Sequence, residues 1–181
     1  MSFTRTLFLF FVGLMAASGL GLISVQAAET DYAYNPRHSY DFGLYGGTLL
    51  PNSIIGVTEL VPGWGFLAAV PTGKGVFEVA TFIGSGNSET YDTAAFDYRY
   101  DIPFSTLETH FLGGINVDTY TSPTMKKSFI GGWHFGGGAA LQLAGPIFLR
   151  SDFRYRIGPG VSLIVTVGLD YRLSDSTSGS N

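Results

Sequence analysis

The chain has 181 residues, a formal net charge of −4 at pH 7 and no cysteine. That balance offers no basic footprint for nucleic acid, and the missing cysteines exclude disulfide frameworks, thiolate metal sites and a lipid anchor on a cleavage-point cysteine. It is 15% aromatic and carries 25 glycines, yet only 13% of it is charged, about half the usual fraction for a soluble domain.

Met1 to Thr6 carries Arg5 and no acid, Leu7 to Ile23 is apolar apart from Ser18, and Val25-Gln26-Ala27 precedes Ala28-Glu29. A basic start, an apolar stretch and small residues before a break predict a signal peptide over 1–27, cleaved after Ala27. The alternative is an uncleaved anchor helix, for which the stretch is short and interrupted by Gly13, Gly19 and Gly21. Removing 27 of the 181 residues leaves 154, with nine basic and fourteen acidic side chains. After the signal no apolar run approaches 18 residues, which excludes a helical span.

Residues 28–38 read as a flexible periplasmic segment and 174–181, rich in Ser, Gly and Asp, as a disordered tail. Between them the sequence alternates with period two, the strand signal. Strands are predicted at 39–50, 63–71, 75–85, 93–101, 107–118, 127–143, 147–156 and 163–173. Turns or loops rich in Gly, Pro and small polar residues separate them at 51–61, 72–74, 84–89, 102–104, 120–126, 144–146 and 158–160. The fold class is all-β, an antiparallel up-and-down barrel of eight strands over 39–173. With an even strand number both chain ends leave on one side. Tight turns fall on that side, and the longer first, second and third loops on the other.

Alternation alone does not say which face is wet. Three features favour an apolar exterior, as in a barrel that crosses a membrane. Lys74, Lys126 and Lys127 all lie in turns or at a strand end, whereas soluble sheets place lysine on exposed faces and edges. One face carries Phe96, Phe111, Phe135, Phe153 and Tyr171, and with them Tyr98, Tyr100, Trp133 and Tyr155, which suit a membrane interface. The other face holds seven acids, Asp41, Glu78, Asp97, Glu108, Asp118, Asp152 and Asp170, against Arg99, Arg150, Arg154, Arg156 and Arg172, with His110 and His134 nearby. An eight-stranded barrel is just wide enough for side chains to fill, so these groups are expected to pair inside it as a polar network. A soluble lipocalin-like barrel, with the charges outside, is the competing reading.

Thr166-Val167-Gly168-Leu169-Asp170-Tyr171-Arg172-Leu173 runs polar, any, glycine, any two, aromatic, any, hydrophobic. It resembles the C-terminal signal by which the barrel-assembly machinery recognises outer-membrane proteins, with Thr166, Gly168, Tyr171 and Leu173 at the defining positions. Phe135-Gly136-Gly137-Gly138-Ala139, the run from Phe148 to Tyr155 and this closing strand together resemble the last three strands of the small outer-membrane β-barrel superfamily, the OmpA-, OmpX- and opacity-like barrels. That resemblance implies an outer-membrane location, lipids and the assembly machinery as partners, a monomer, and no particular activity.

Chemistry is sparse. His38 and Ser39 are adjacent, so on a strand they point to opposite faces and form no dyad. His110 and His134 read as buried members of the polar network, and as a metal pair they lack a third spaced ligand. Gly136 to Gly138 lacks the lysine of a phosphate loop. No cofactor, metal or catalytic residue is expected. The 52–61 stretch, with Ile54, Ile55, Val57, Leu60 and Val61, reads equally as a mouth plug or partner contact and as an extension of the first two strands. The function expected is structural or surface interaction. A small pore for small or hydrophobic solutes is the first alternative, then a lipid A-modifying enzyme, then a soluble periplasmic binder.

Overall fold

The computed structural model describes residues 39–52, 54, 59–86, 88–104, 107–123, 125–158 and 160–174. The signal peptide and N-terminal segment expected at 1–38, the tail beyond 174 and most of the 53–58 stretch lie outside them. Eight strands follow in chain order: β1 Ser39–Pro51, β2 Val61–Thr72, β3 Gly75–Gly86, β4 Glu89–Phe104, β5 Leu107–Ser122, β6 Met125–Ala144, β7 Ile147–Ile157 and β8 Val161–Ser174. Each pairs antiparallel with the next, and β8 returns to β1 over the whole length of β1, from Ser39 opposite Ser174 to Pro51 opposite Ser162. The result is a closed up-and-down barrel with no sheet edge. A tilted membrane strand needs about 9–11 residues. The strands here run from 11 in β7 to 20 in β6.

Period-two alternation sets the register, because a slip of one residue would exchange every side chain between lumen and exterior. On β4 the buried residues are Tyr91, Thr93, Ala95, Asp97 and Arg99, and the intervening Phe96, Tyr98 and Tyr100 are exposed. The exterior is the apolar side: Leu44, Phe111 and Ile115 are each more than 60% exposed. Such a surface is unsuited to water and suited to hydrocarbon.

Three expectations change. Ile102-Pro103-Phe104, read as a turn, continues β4. The pairing of β3 with β4 ends at Val76 opposite Arg99, so one flank of β4 is open at Pro103, the setting that admits proline in a strand. The loops read at 84–89 and 120–126 shrink to two-residue links, because the Thr, Tyr and Ser residues flanking the apolar zone go on pairing. Only the link between β1 and β2 is long, so the asymmetry between long loops and tight turns rests on that one loop and on the greater length of β4 to β6. Below, the end of the barrel bearing the links after β1, β3, β5 and β7 is the loop end. The end bearing both strand termini Ser39 and Ser174 and the links after β2, β4 and β6 is the turn end.

Candidate functional site in the barrel lumen

The lumen has two chemically different parts. At the loop end Leu49, Val61, Phe82, Tyr91, Tyr120 and Ile164 form a buried apolar cluster, against which Tyr45, Ile54 and Ile130 pack. A second, smaller apolar group of Leu67, Ala80 and Ala95 lies deeper, also against Tyr45. Tyr45 spans the gap by donating its hydroxyl to the Thr81 carbonyl. The remaining lumen, down to the turn end, is mainly charged, with the buried Val76, Leu112, Ala140 and Phe148 set among the charges.

Every residue of the sequence-derived polar set faces this lumen and is at most 9% exposed. Glu78 on β3 is the hub. It accepts hydrogen bonds from Arg99 on β4 at 2.6 Å, from Arg150 on β7 at 2.8 and 3.1 Å, and from Arg154 on β7 at 2.6 Å. In an eight-stranded ring β3 and β7 are diametrically opposed, so the bonds from Arg150 and Arg154 cross the lumen. Arg99 also reaches Asp41 on β1, and Arg154 reaches Asp97 at 3.3 Å. Asp152 receives Arg150 at 2.9 Å. Arg172 on β8 donates to both oxygens of Glu108 on β5 at 3.0 Å and lies 4.1 Å from the centre of the Phe148 ring. Arg156 bridges to the apolar end, donating to Tyr91 and Thr93 at 2.6 Å each and to Asp118. Asp170 lies 3.5 Å from Arg150 and 3.7 Å from Arg172.

Both histidines use one device. The register places Asp97, Gly114 and His134 side by side on β4, β5 and β6, and His110, Gly138 and Asp152 side by side on β5, β6 and β7. In each case the imidazole reaches a carboxylate two strands away, over a glycine: His134 bonds Asp97 and, at 3.2 Å, Asn116, while His110 bonds Asp152 at 2.7 Å. A Cβ on Gly138 would clash with the Ser151 carbonyl oxygen and meet Asp152 Oδ1 at 2.5 Å and His110 Nε2 at 2.7 Å. The absent side chain is what lets the pair meet.

Sequence reasoning missed Asp101, whose carboxylate is only 4% exposed and accepts from Arg99 at 2.7 and 3.0 Å. With it, eight lumenal carboxylates face five guanidiniums among the described residues. The strand predicted at 93–101 carries Asp101 on the inward face with Asp97 and Arg99, yet the seven inner acids read from the sequence leave it out. Tyr91 and Tyr120 fell in or beside stretches read as loops.

Of the closing-strand pattern, Thr166 is buried in the lumen, Gly168 lies opposite Tyr45 of β1, and Tyr171 and Leu173 are exposed on the outside near the turn end. Tyr98 and Tyr100 are also exposed near the turn end. Trp133 and Tyr155 lie toward the loop end, with Phe135 between them at ring centroid distances of 6.2 and 5.4 Å.

No protein-family model matches the chain, and no curated protein matches it in sequence. Solved structures do match in fold. The N-terminal β-barrel domain of Pseudomonas aeruginosa OprF superposes with a TM-score of 0.63 at 9% identity, covering 77% of this chain and 100% of that one. Neisserial surface protein A matches with a TM-score of 0.56 at 10% identity, covering 75% and 96%. Ail, the attachment invasion locus protein of Yersinia pestis, matches at 0.51 and 10%, covering 75% and 97%. The chain therefore has the fold of the eight-stranded outer-membrane barrels.

Proposed function

We propose that this chain is an outer-membrane barrel with a structural or surface-interaction role, its lumen closed by ion pairs and its loop end facing the cell exterior. The observation that carries the reading is the polarity inversion: aromatic and aliphatic side chains point outward on all eight strands, and buried charges tie opposite walls together through Glu78. Only hydrocarbon outside makes that arrangement stable, since apolar area in water and unpaired charge in the interior are both costly. A cavity of about 30 Å³ at the loop-end mouth, lined by Ile54, Tyr91, Asp118, Tyr120 and Ser162 among others, takes one water-sized guest. Surface location is in keeping with the names of two fold neighbours, a surface protein and an attachment invasion locus protein. Tyr98 and Tyr100 would anchor one interface, Trp133 and Tyr155 the other, and Thr166, Gly168, Tyr171 and Leu173 would present the closing strand to the assembly machinery.

Planar-bilayer recording tests the closed lumen. The reading predicts no steady conductance from the reconstituted protein. Stepwise currents that grow in Glu78→Ala would establish the pore alternative instead.

A further inference from the structure

We propose that Asp101, Glu108 and His110 form a binding site for a divalent transition-metal cation of the zinc type, at the turn end of the lumen. Asp101 on β4 lies directly opposite His110 on β5, and Glu108 shares the lumenal face of β5 with His110 two residues away. One ligand atom from each of the three lies within 4.8 Å of the others. Zinc bound at about 2.0–2.2 Å from each ligand draws such atoms to roughly 3.4 Å apart, a closure that side-chain rotation supplies.

The imidazole supplies the second observation. His110 is 2% exposed. Its Nε2 is committed to Asp152 at 2.7 Å, whereas its Nδ1 is buried with no hydrogen-bond partner among the described residues. A buried ring nitrogen left without a partner costs free energy. An imidazole held through its other nitrogen by a carboxylate is the arrangement that fixes tautomer and orientation in metal-bound histidines. Asp152 is thus the orienting carboxylate and Nδ1 the ligand.

Charge points the same way. Among the described residues eight lumenal carboxylates face five guanidiniums and the imidazoles of His110 and His134, so the lumen holds no excess of fixed positive charge to oppose a cation. Arg99 and Arg172 do not saturate the two carboxylates. Glu108 receives one Arg172 nitrogen with both oxygens, and a carboxylate offers about four lone-pair sites. The guanidiniums hold the carboxylates in place and leave their other lone pairs to the metal. Two oxygens and one imidazole nitrogen suit zinc better than calcium, magnesium or manganese, which favour oxygen ligands.

The test is calorimetric titration of Zn²⁺ into the chelator-treated, detergent-extracted protein, with calcium as comparator and the mobility shift between unboiled and boiled gel samples as the check on folding. The expected result is one zinc per chain and no calcium. Affinity should be lost in His110→Gln and Asp101→Asn, be about 10–100-fold weaker in Asp152→Asn, and be unchanged in His134→Gln, which lies in the same lumen outside the cluster. Should His110→Gln fail to fold, Glu108→Gln takes its place. Absence of stoichiometric zinc binding overturns the proposal. So does binding that survives Asp101→Asn and His110→Gln but disappears in His38→Gln, because the metal would then sit elsewhere.

Discussion

The two ends of the lumen solve one problem in opposite ways. At the loop end Leu49, Val61, Phe82 and Ile164 fill space with carbon, and the polar atoms of Tyr91 are met by Arg156. Toward the turn end the space is filled by charge, and Glu78 alone meets three guanidiniums. The apolar end is held by contact area, which is non-directional and tolerant of exchange. The charged end is held by mutual satisfaction, so each member depends on the rest. The apolar cluster also lowers the local dielectric beside it, which strengthens the neighbouring Arg156–Asp118 pair.

Substitutions at the two ends should separate these modes. Glu78→Ala removes the hub and takes one carboxylate partner from each of three buried guanidiniums, which keep Asp41, Asp101, Asp152 or Asp97, and a loss of about 3–5 kcal/mol is expected from urea unfolding in lipid vesicles. Leu49→Ala at the apolar end should cost about 3 kcal/mol in the same assay. The contrast sharpens with conservative changes: Leu49→Met stays below about 1.5 kcal/mol, whereas Glu78→Gln, of nearly the same shape, retains most of the Glu78→Ala loss. Equal tolerance at both positions would dissolve the distinction. Gly138→Ala places a methyl against the Ser151 carbonyl oxygen as well as Asp152 and His110 and should cost about 2 kcal/mol. Its thermal midpoint should fall, and most of the loss should remain when His110 is also replaced by alanine, because the backbone contact stays. Asp92→Asn, on an exposed outward position of β4, should change stability by no more than about 0.5 kcal/mol.

Much of the barrel was legible because a period of two is simple and long strands repeat it often. Arg150, Asp152, Arg154 and Arg156 had to share a face with one another and not with Phe153 and Tyr155. Partners across the lumen were not legible. That Glu78 meets Arg150 and Arg154, more than seventy residues away in sequence, follows from closure of β8 onto β1 and from the stagger of the strands, which no local pattern encodes. The apolar loop end was missed for a related reason. Once the outer face had been identified by its aromatics, Phe82, Tyr91 and Tyr120 carried no separate signal of pointing inward near the mouth. Nothing in the local sequence marked Gly114 or Gly138 as a place where an imidazole passes over the strand, because that depends on strand register.

The central claim is that the polar face points inward and the apolar face meets lipid. Expressing the full chain, separating membranes and running the outer-membrane fraction unboiled and boiled tests it most directly. The account predicts recovery in that fraction with a shift in mobility on boiling, as a closed barrel resists detergent until heated. Recovery as a soluble protein with no shift would contradict it.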